Sequence, residues 1–440
     1  MTTRFSRRTL LGTTFAGLST LALAGCGVGE DTADVELSNK EVTLRFAWWG
    51  SDSRHDLTNQ VIQEFQKENP KIKVKGEFVD WVGYWDRIAT TFAANDAADV
   101  IQMDELYLRT YADRGSLMDL AKVKEYLDSS GFSEATLATG QSAGTQYALP
   151  TGNNSLAVVA NRTAFEKLGI DLPDDKTWTW DEFGEVSAEI SAKSDGDVIG
   201  SGALGMDSAL LNIYARQHGN SLFDDEGQVT LKPELLAEFW DRSIQLAGKG
   251  QPSVEASVEQ LTAPLNSNFL VLGKQALNFN YSSQLPSLQA GNPKAEFVLL
   301  QMPQSADGSA TGYSYKSSMY WSIASRTEHP AEAAKLVDYM VNSPVAAKIL
   351  GTDRGIPANA DTLAAIRSDL DAPSEAAAKF NEQVEPLIEP PPALTPAGAS
   401  DINAMLQRAA QEAFFGRQST AEAAQKFVDE LTTAVDNAAS

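Results

Sequence analysis

Aromatic residues crowd the ends of strand-like runs in this chain, and planar polar residues stand beside them. Eight tryptophans occur in 440 residues. Trp48 and Trp49 end an apolar run, with Asp52 just beyond. Trp81, Tyr84 and Trp85 follow a second run, and Asp104 closes a third. Asn153-Asn154, Asn280-Tyr281, Tyr320-Trp321 and Arg354 complete the set. Together these types suit recognition of a polyhydroxylated ring. A flat aromatic covers its C–H face, and Asp, Asn or Arg exchange paired hydrogen bonds with rim hydroxyls.

Each residue also has a structural reading. Adjacent Trp48 and Trp49 point to opposite sides of a strand, so one is core and Trp49 is the stacking candidate. Trp81, Tyr84 and Trp85 fall in a turn, where packing explains aromatics less well. Asp104 is a ligand-binding acid or the N-cap of a helix over 105–114. Asn153, Asn154, Asn280 and Tyr281 are ligand contacts or local turn residues. Of Tyr320 and Trp321, one faces the core. Arg354 forks onto a ligand or makes a surface ion pair. Trp178 and Trp180 open a helix as core or staple.

Catalytic alternatives have less support. Gly140-Gln141-Ser142-Ala143-Gly144 matches G-x-S-x-G, but no strand precedes it as a nucleophile elbow requires. His218 and His329 follow in triad order without a recognisable setting. Acids are plentiful enough for a glycosidase pair, which proves little. Asp224-Asp225-Glu226-Gly227 lacks the alternating ligands of a calcium loop. There is no H-E-x-x-H, C-x-x-C or G-x-x-x-x-G-K-[ST]. No metal and no cofactor are expected.

The positioning elements alternate. Val42 to Trp49 reads as a strand, and Leu57, Val61, Ile62 and Phe65 then recur at helical spacing until Asn69-Pro70. Residues 72–79 form a second strand, 85–95 a helix and 99–103 a short buried strand. Later strands are predicted at 156–160, 277–280, 297–300 and 319–324. Helices are predicted at 162–168, 180–193, from Pro330, and from Asp401 to the end. This is an open α/β pattern.

The N-terminus carries an address. Arg4, Arg7 and Arg8 precede an apolar stretch from Thr9 to Ala24, too short for a comfortable membrane span. Ser6-Arg7-Arg8-Thr9-Leu10-Leu11 resembles a twin-arginine signal; Tat and Sec export both remain open. Leu23-Ala24-Gly25-Cys26 resembles a bacterial lipobox, and Cys26 is the single cysteine. Residues 1–25 are expected to be a signal peptide, Cys26 the lipidated residue and 26–41 a flexible tether. The whole chain carries −24; removing the three arginines of the signal leaves −27. Such a charge disfavours nucleic acid and anionic lipid as partners.

In order, these segments resemble the extracellular solute-binding proteins of ABC importers, family 1, the maltose-binding-like branch. The resemblance rests on Trp48-Trp49-Gly50, Ala98 to Asp104, Tyr147 to Asn154 with Asn161-Arg162, and Thr177 to Phe183. Gly273 to Leu277, Trp321 to Ala324 with His329 to Ala334, and Gly355 to Asn359 continue it over most of the chain. It implies a type II periplasmic-binding-protein-like fold, two α/β lobes with a hinge and an interlobe cleft. The expected boundaries are 42–150 for lobe 1, 151–299 for lobe 2, 300–345 for a return to lobe 1, and 346–440 for lobe 2 and C-terminal helices. It implies a monomer, not an enzyme, that binds a mono- or oligosaccharide by closure and hands it to ABC permease transmembrane subunits. The only membrane attachment expected is the lipid, on the outer face of the cytoplasmic membrane. A sensor or adhesion lipoprotein on the same fold is the alternative, and a secreted hydrolase a distant one. One departure stands out: where the family often has glycines, this chain has Lys316-Ser317-Ser318-Met319-Tyr320, which reshapes the pocket.

Overall fold

β1 (Val42–Trp49) sends alternate side chains to two different cores. Leu44, Phe46 and Trp48 pack with Val61, Phe65, Leu336 and Val337 on one face. Ala47 and Trp49 pack with Tyr84, Trp85, Ile88 and Tyr111 on the other. From Phe46 to Trp49 both faces of this largely parallel sheet are covered, so both sets of side chains are apolar there. The description comes from a computed structural model and covers residues 35–439 apart from 262, 307 and 309. The signal at 1–25, Cys26 and the tether as far as 34 lie outside the described residues.

The other strands follow in chain order. They are β2 (Ile72–Val79), β3 (Val100–Met103), β4 (Gln141–Ser142), β5 (Thr145–Gln146), β6 (Ala148–Pro150), β7 (Gly152–Asn154) and β8 (Leu156–Asn161). Then come β9 (Ile199–Ser201), β10 (Gln275–Tyr281), β11 (Phe297–Leu300), β12 (Lys316–Ser317), β13 (Tyr320–Ile323) and β14 (Ile356–Pro357). One sheet has the order β2-β1-β3-β13-β6 and a second β11-β8-β10-β9. β1, β2 and β3 are parallel, and β13 enters antiparallel between β3 and β6. The second sheet is covered by Phe165, Trp180, Phe183, Tyr214, Phe239 and Trp240 on one side. Leu270, Leu285 and Leu288 cover the other, packing on Val159 and Phe297 of the sheet. These are the two α/β lobes.

A small sheet, β12-β7-β14, joins them. β6, β7 and β8 are nearly continuous, so the chain leaves the first sheet, crosses the small one and enters the second within 148–161. A Cβ on Gly152 would lie 2.5 Å from the Arg354 carbonyl oxygen, so only glycine lets β7 and β14 approach. The crossings come later than the expected 300 and 346. Leu300, Met302 and Tyr313 still pack in the second lobe, and Ala346 and Ala358 in the first. The segment 35–41, expected to be tether, is docked. Val35 packs on the first core, its carbonyl accepts from Tyr126 at 2.9 Å, and Ser38 N–H donates to the buried Glu332. Local apolar content at Val35 was outweighed in the sequence by the acidic residues around it.

The edge of the first sheet carries a charge cluster. Glu77 on β2 accepts from Arg45 at 2.8 Å and from Arg87. Burial alone raises the Glu77 carboxyl, but the two guanidiniums hold it below the usual glutamate value. A lowered folded pKa stabilises fully above about 4.5 and fades as pH falls through the folded value. Glu77→Gln is therefore expected to cost about 1–2 kcal/mol at pH 7 and to flatten the loss of stability below pH ~4.5, read by urea unfolding across pH.

Candidate functional site

A cleft of about 340 Å3 opens between the lobes. Trp81, Asp104, Glu105 and Tyr320 line it from the first lobe, and Lys316 from the joining sheet. Asp207, Asn212, Phe223, Tyr281 and Tyr315 line it from the second side, with the loop 391–395 at the rim.

Helix starts place most of the polar groups. Asp104 directly follows β3 and caps helix Glu105–Asp113, its Oδ1 accepting from Leu106 N–H at 3.0 Å. Asp207 caps helix Ser208–Gln217, its Oδ1 accepting from Ala209 and Leu210 N–H, each at 3.0 Å. Both helix N-termini therefore point at the cleft with a carboxylate already seated on them. Lys316 on β12 lies opposite Asn154 and pairs with Glu105 at 2.8 Å. About a third of the Lys316 side chain stays exposed to the cleft. Confinement there lowers its pKa, but Glu105 and Asp104 outweigh that, and the ammonium titrates well above the ordinary lysine range. Burial raises the Asp104 and Asp207 carboxyls, against the pull of Lys316 and the capped N–H groups. Burial also raises the phenols of Tyr281 and Tyr320, and pushes Tyr315 up to about 12. Asn212 Oδ1 is buried without a partner.

Trp81 is the exposed aromatic of the cleft. It keeps 39% of its surface open, although Trp49 and Trp85 hold it edge-on at 5.0 and 5.5 Å. The turn expected at 81–85 is the start of helix Trp81–Ala93, capped by Asp80. At i, i+3 and i+4 the three rings share one helix face; Tyr84 and Trp85, a turn further in, are buried, and Trp81 at the first helical position stays on the rim.

Of the residues singled out from the sequence, Trp81, Asp104, Tyr281 and Tyr320 meet in this cleft. The others lie elsewhere. Trp49 is 7% exposed and supports Trp81 from beneath. Tyr84 is buried, its hydroxyl donating to the Gln102 carbonyl at 2.7 Å. Trp321 is buried on the other face of β13 from Tyr320, which took the cleft side. Arg354 is buried against Trp321 at 5.1 Å, away from the cleft lining, and its ion pair, with Asp353 at 3.4 Å, starts from a buried guanidinium. Asp52 is exposed at the start of helix Asp52–Glu68, away from the lining. Asn153 donates to Thr136 at 2.7 Å and its carbonyl accepts from Asn381. Asn154 is buried in the joining sheet. Asn280 is buried in a chain of amides running from Asn278 to Gln284, beside a separate cavity of about 370 Å3.

Glu105, Asp207, Asn212 and Tyr315 were not singled out. Asp207 had a signal, an Asp directly before the apolar run Ala209-Leu210-Leu211, which is a helix start. Ser142 lies in the β4–β5 hairpin and donates to Asp113 at 3.2 Å, so the strand-to-helix elbow of a serine hydrolase is not formed there. Among the described residues no group of His, Cys, Asp or Glu has the arrangement of a metal site. No described helix is long and apolar enough to cross a membrane.

The rim crosses between lobes. Glu389 is pinned to the second lobe by Arg216 at 3.2 Å and by the N–H of Thr311 at 2.8 Å. Five residues on, Leu394 is buried in the first lobe among the residues around Trp85 and Tyr111. Arg109 of the first lobe donates to the Asp225 carbonyl at 2.9 Å.

Residues 51–347 match the family model described as bacterial extracellular solute-binding protein. The multiple sugar-binding protein of Streptococcus mutans is 24% identical over 380 residues, 79% of this chain and 84% of its own. An uncharacterized lipoprotein in the oleD 5′ region of Streptomyces antibioticus is 24% identical over 343 residues, 73% of this chain and 70% of its own. The structure of a periplasmic oligogalacturonide binding protein from Yersinia enterocolitica superposes with a TM-score of 0.77 at 24% identity, over 90% of this chain and all of that one. That likeness is one of fold. With a family match across two thirds of the chain and the two-lobed type II architecture, this protein belongs to the bacterial extracellular solute-binding proteins.

Proposed function

We propose that this protein is a lipid-anchored, extracytoplasmic substrate-binding component of an ABC importer, taking a mono- or oligosaccharide between its lobes without converting it. The observation that carries the reading is Trp81. A tryptophan held edge-on by two others, yet open in a cleft that is also lined by Asp104, Asp207 and the unpartnered Asn212 Oδ1, supplies the flat face and acceptors a sugar ring needs. The multiple sugar-binding relative supports the same ligand class. Residues Trp81, Asp104, Tyr281 and Tyr320 of the sequence-derived set, with Asp207, Asn212 and Lys316, form the proposed site. The lobes close on the ligand about the β12-β7-β14 sheet, and the closed form is what a permease reads. Anchoring by Cys26 is supported by the lipobox and by the lipoprotein relative.

A thermal-shift and calorimetric screen of uncharged mono- and oligosaccharides is expected to give at least one binder. Small-angle scattering is expected to show compaction when it binds. Stabilisation by peptides or polyamines alone would put the ligand class in error. Cys26→Ser is expected to move the protein from the membrane fraction to the soluble one.

A further inference from the structure

The charge balance of the cleft narrows its ligands. Its lining holds three carboxylates, Asp104, Glu105 and Asp207, and one cation, Lys316. Glu105 already pairs with Lys316 at 2.8 Å. Asp104 and Asp207, one from each lobe, feel the field of Lys316 but form no ion pair of their own. Each uses Oδ1 for its helix cap, and among the described residues no protein donor reaches either Oδ2. A helix N-terminus is the usual seat for a ligand carboxylate or phosphate. Both N-termini facing this cleft are taken by the protein's own carboxylates, and among the described residues no arginine lines the cavity.

We infer that the cleft selects uncharged saccharides and rejects uronates and sugar phosphates, with Asp104 and Asp207 accepting ligand hydroxyls from opposite lobes. The inference rests on the sugar-binding reading. It parts this chain from the oligogalacturonide-binding protein that shares its fold, because fold similarity at 24% identity does not carry the charge of the lining. An anionic ring would meet two like charges in a confined space, with Lys316 already engaged by Glu105. That juxtaposition should weaken binding on the order of 100-fold or more.

The test is calorimetry on the purified protein with xylobiose, cellobiose, maltotriose, digalacturonate and glucose 6-phosphate, at low and at physiological salt. At least one uncharged probe should bind, and both anions should bind at least 100-fold more weakly. Asp207→Asn and Asp104→Asn keep a side chain that caps helices equally well, so folding is retained. Each should weaken the uncharged probe about tenfold, since an amide oxygen is a poorer acceptor, and the double variant should narrow the gap to digalacturonate. Digalacturonate binding within tenfold of the best uncharged probe would overturn the inference and leave the sugar-binding reading standing. Unchanged affinity of the uncharged probe in both variants would overturn the role of the two carboxylates. Failure of every saccharide, charged or not, would sink the underlying reading and the inference with it.

Discussion

Replacing Arg354 by alanine is expected to destabilise the protein by about 3–5 kcal/mol, measured as a lower urea midpoint with an unchanged slope. Arg354 sits on the segment that leads into β14, at the joint between the lobes, but its guanidinium is buried in the first. Nε donates to Gln102 Oε1 at 3.2 Å and Nη2 to Thr58 Oγ1 at 2.8 Å, while the plane lies over Trp321. Nη1 donates to Asp353 Oδ2 at 3.4 Å, and burial and the nearby Arg54 pull the Arg354 pKa down to about 9 against that carboxylate. Alanine leaves a cavity against Trp321 and a buried Gln102 amide whose Nε2 already has no partner. Arg354→Met fills most of that volume and should cost less than half as much, because Asp353 keeps Arg54 at 2.8 Å. Arg354→Lys should not rescue the alanine loss fully, since a point charge cannot reproduce the two-pronged contact. A change below about 0.5 kcal/mol in the alanine variant would show that the joint is held by β14 pairing alone.

Arg354 also shows where sequence reasoning stops. Its neighbours, Gly355-Ile356-Pro357, are readable as a turn and short strand, and the structure has β14 there. Nothing local says that the side chain turns away from solvent, because its partners Thr58 and Gln102 are over 250 residues away. The same split runs through the molecule. β1 and β3, and the helices at 162–168 and 180–193, follow from periodicity within one segment. Asp104 is legible twice over, as a helix cap and as a group at the carboxyl end of a parallel strand, and it serves as a cap in the cleft wall. Lys316 stands out only as a departure from a glycine-rich pattern, yet it is the cation of the site. Trp48 and Trp49 misled because alternation assigns one to an open face only where the sheet has one, and both faces are covered at the end of β1 where the two rings stand.

The pair Trp49 and Trp81 separates binding from folding most cleanly. The two rings touch edge to face at 5.0 Å, but only Trp81 is open to the cleft. Covering on the order of 80 Å2 of ring surface at about 25 cal/mol per Å2 gives about 2 kcal/mol of binding. Trp81→Ala should therefore weaken saccharide binding roughly thirtyfold, while stability falls by no more than about 1 kcal/mol. Trp81→Phe should recover much of the affinity, because a smaller flat face remains. Trp49→Ala should do the opposite in the unliganded protein. It removes a buried ring that touches Trp81, Tyr84 and Trp85, at a cost of about 3–5 kcal/mol. Its binding defect should follow from a displaced Trp81 and so be no larger in the Trp49→Ala/Trp81→Ala double variant than in Trp81→Ala alone. Additive losses of affinity would mean that Trp49 touches the ligand itself. Wild-type affinity in Trp81→Ala would move the stacking surface elsewhere, to Phe223 or Tyr281 on the opposite wall.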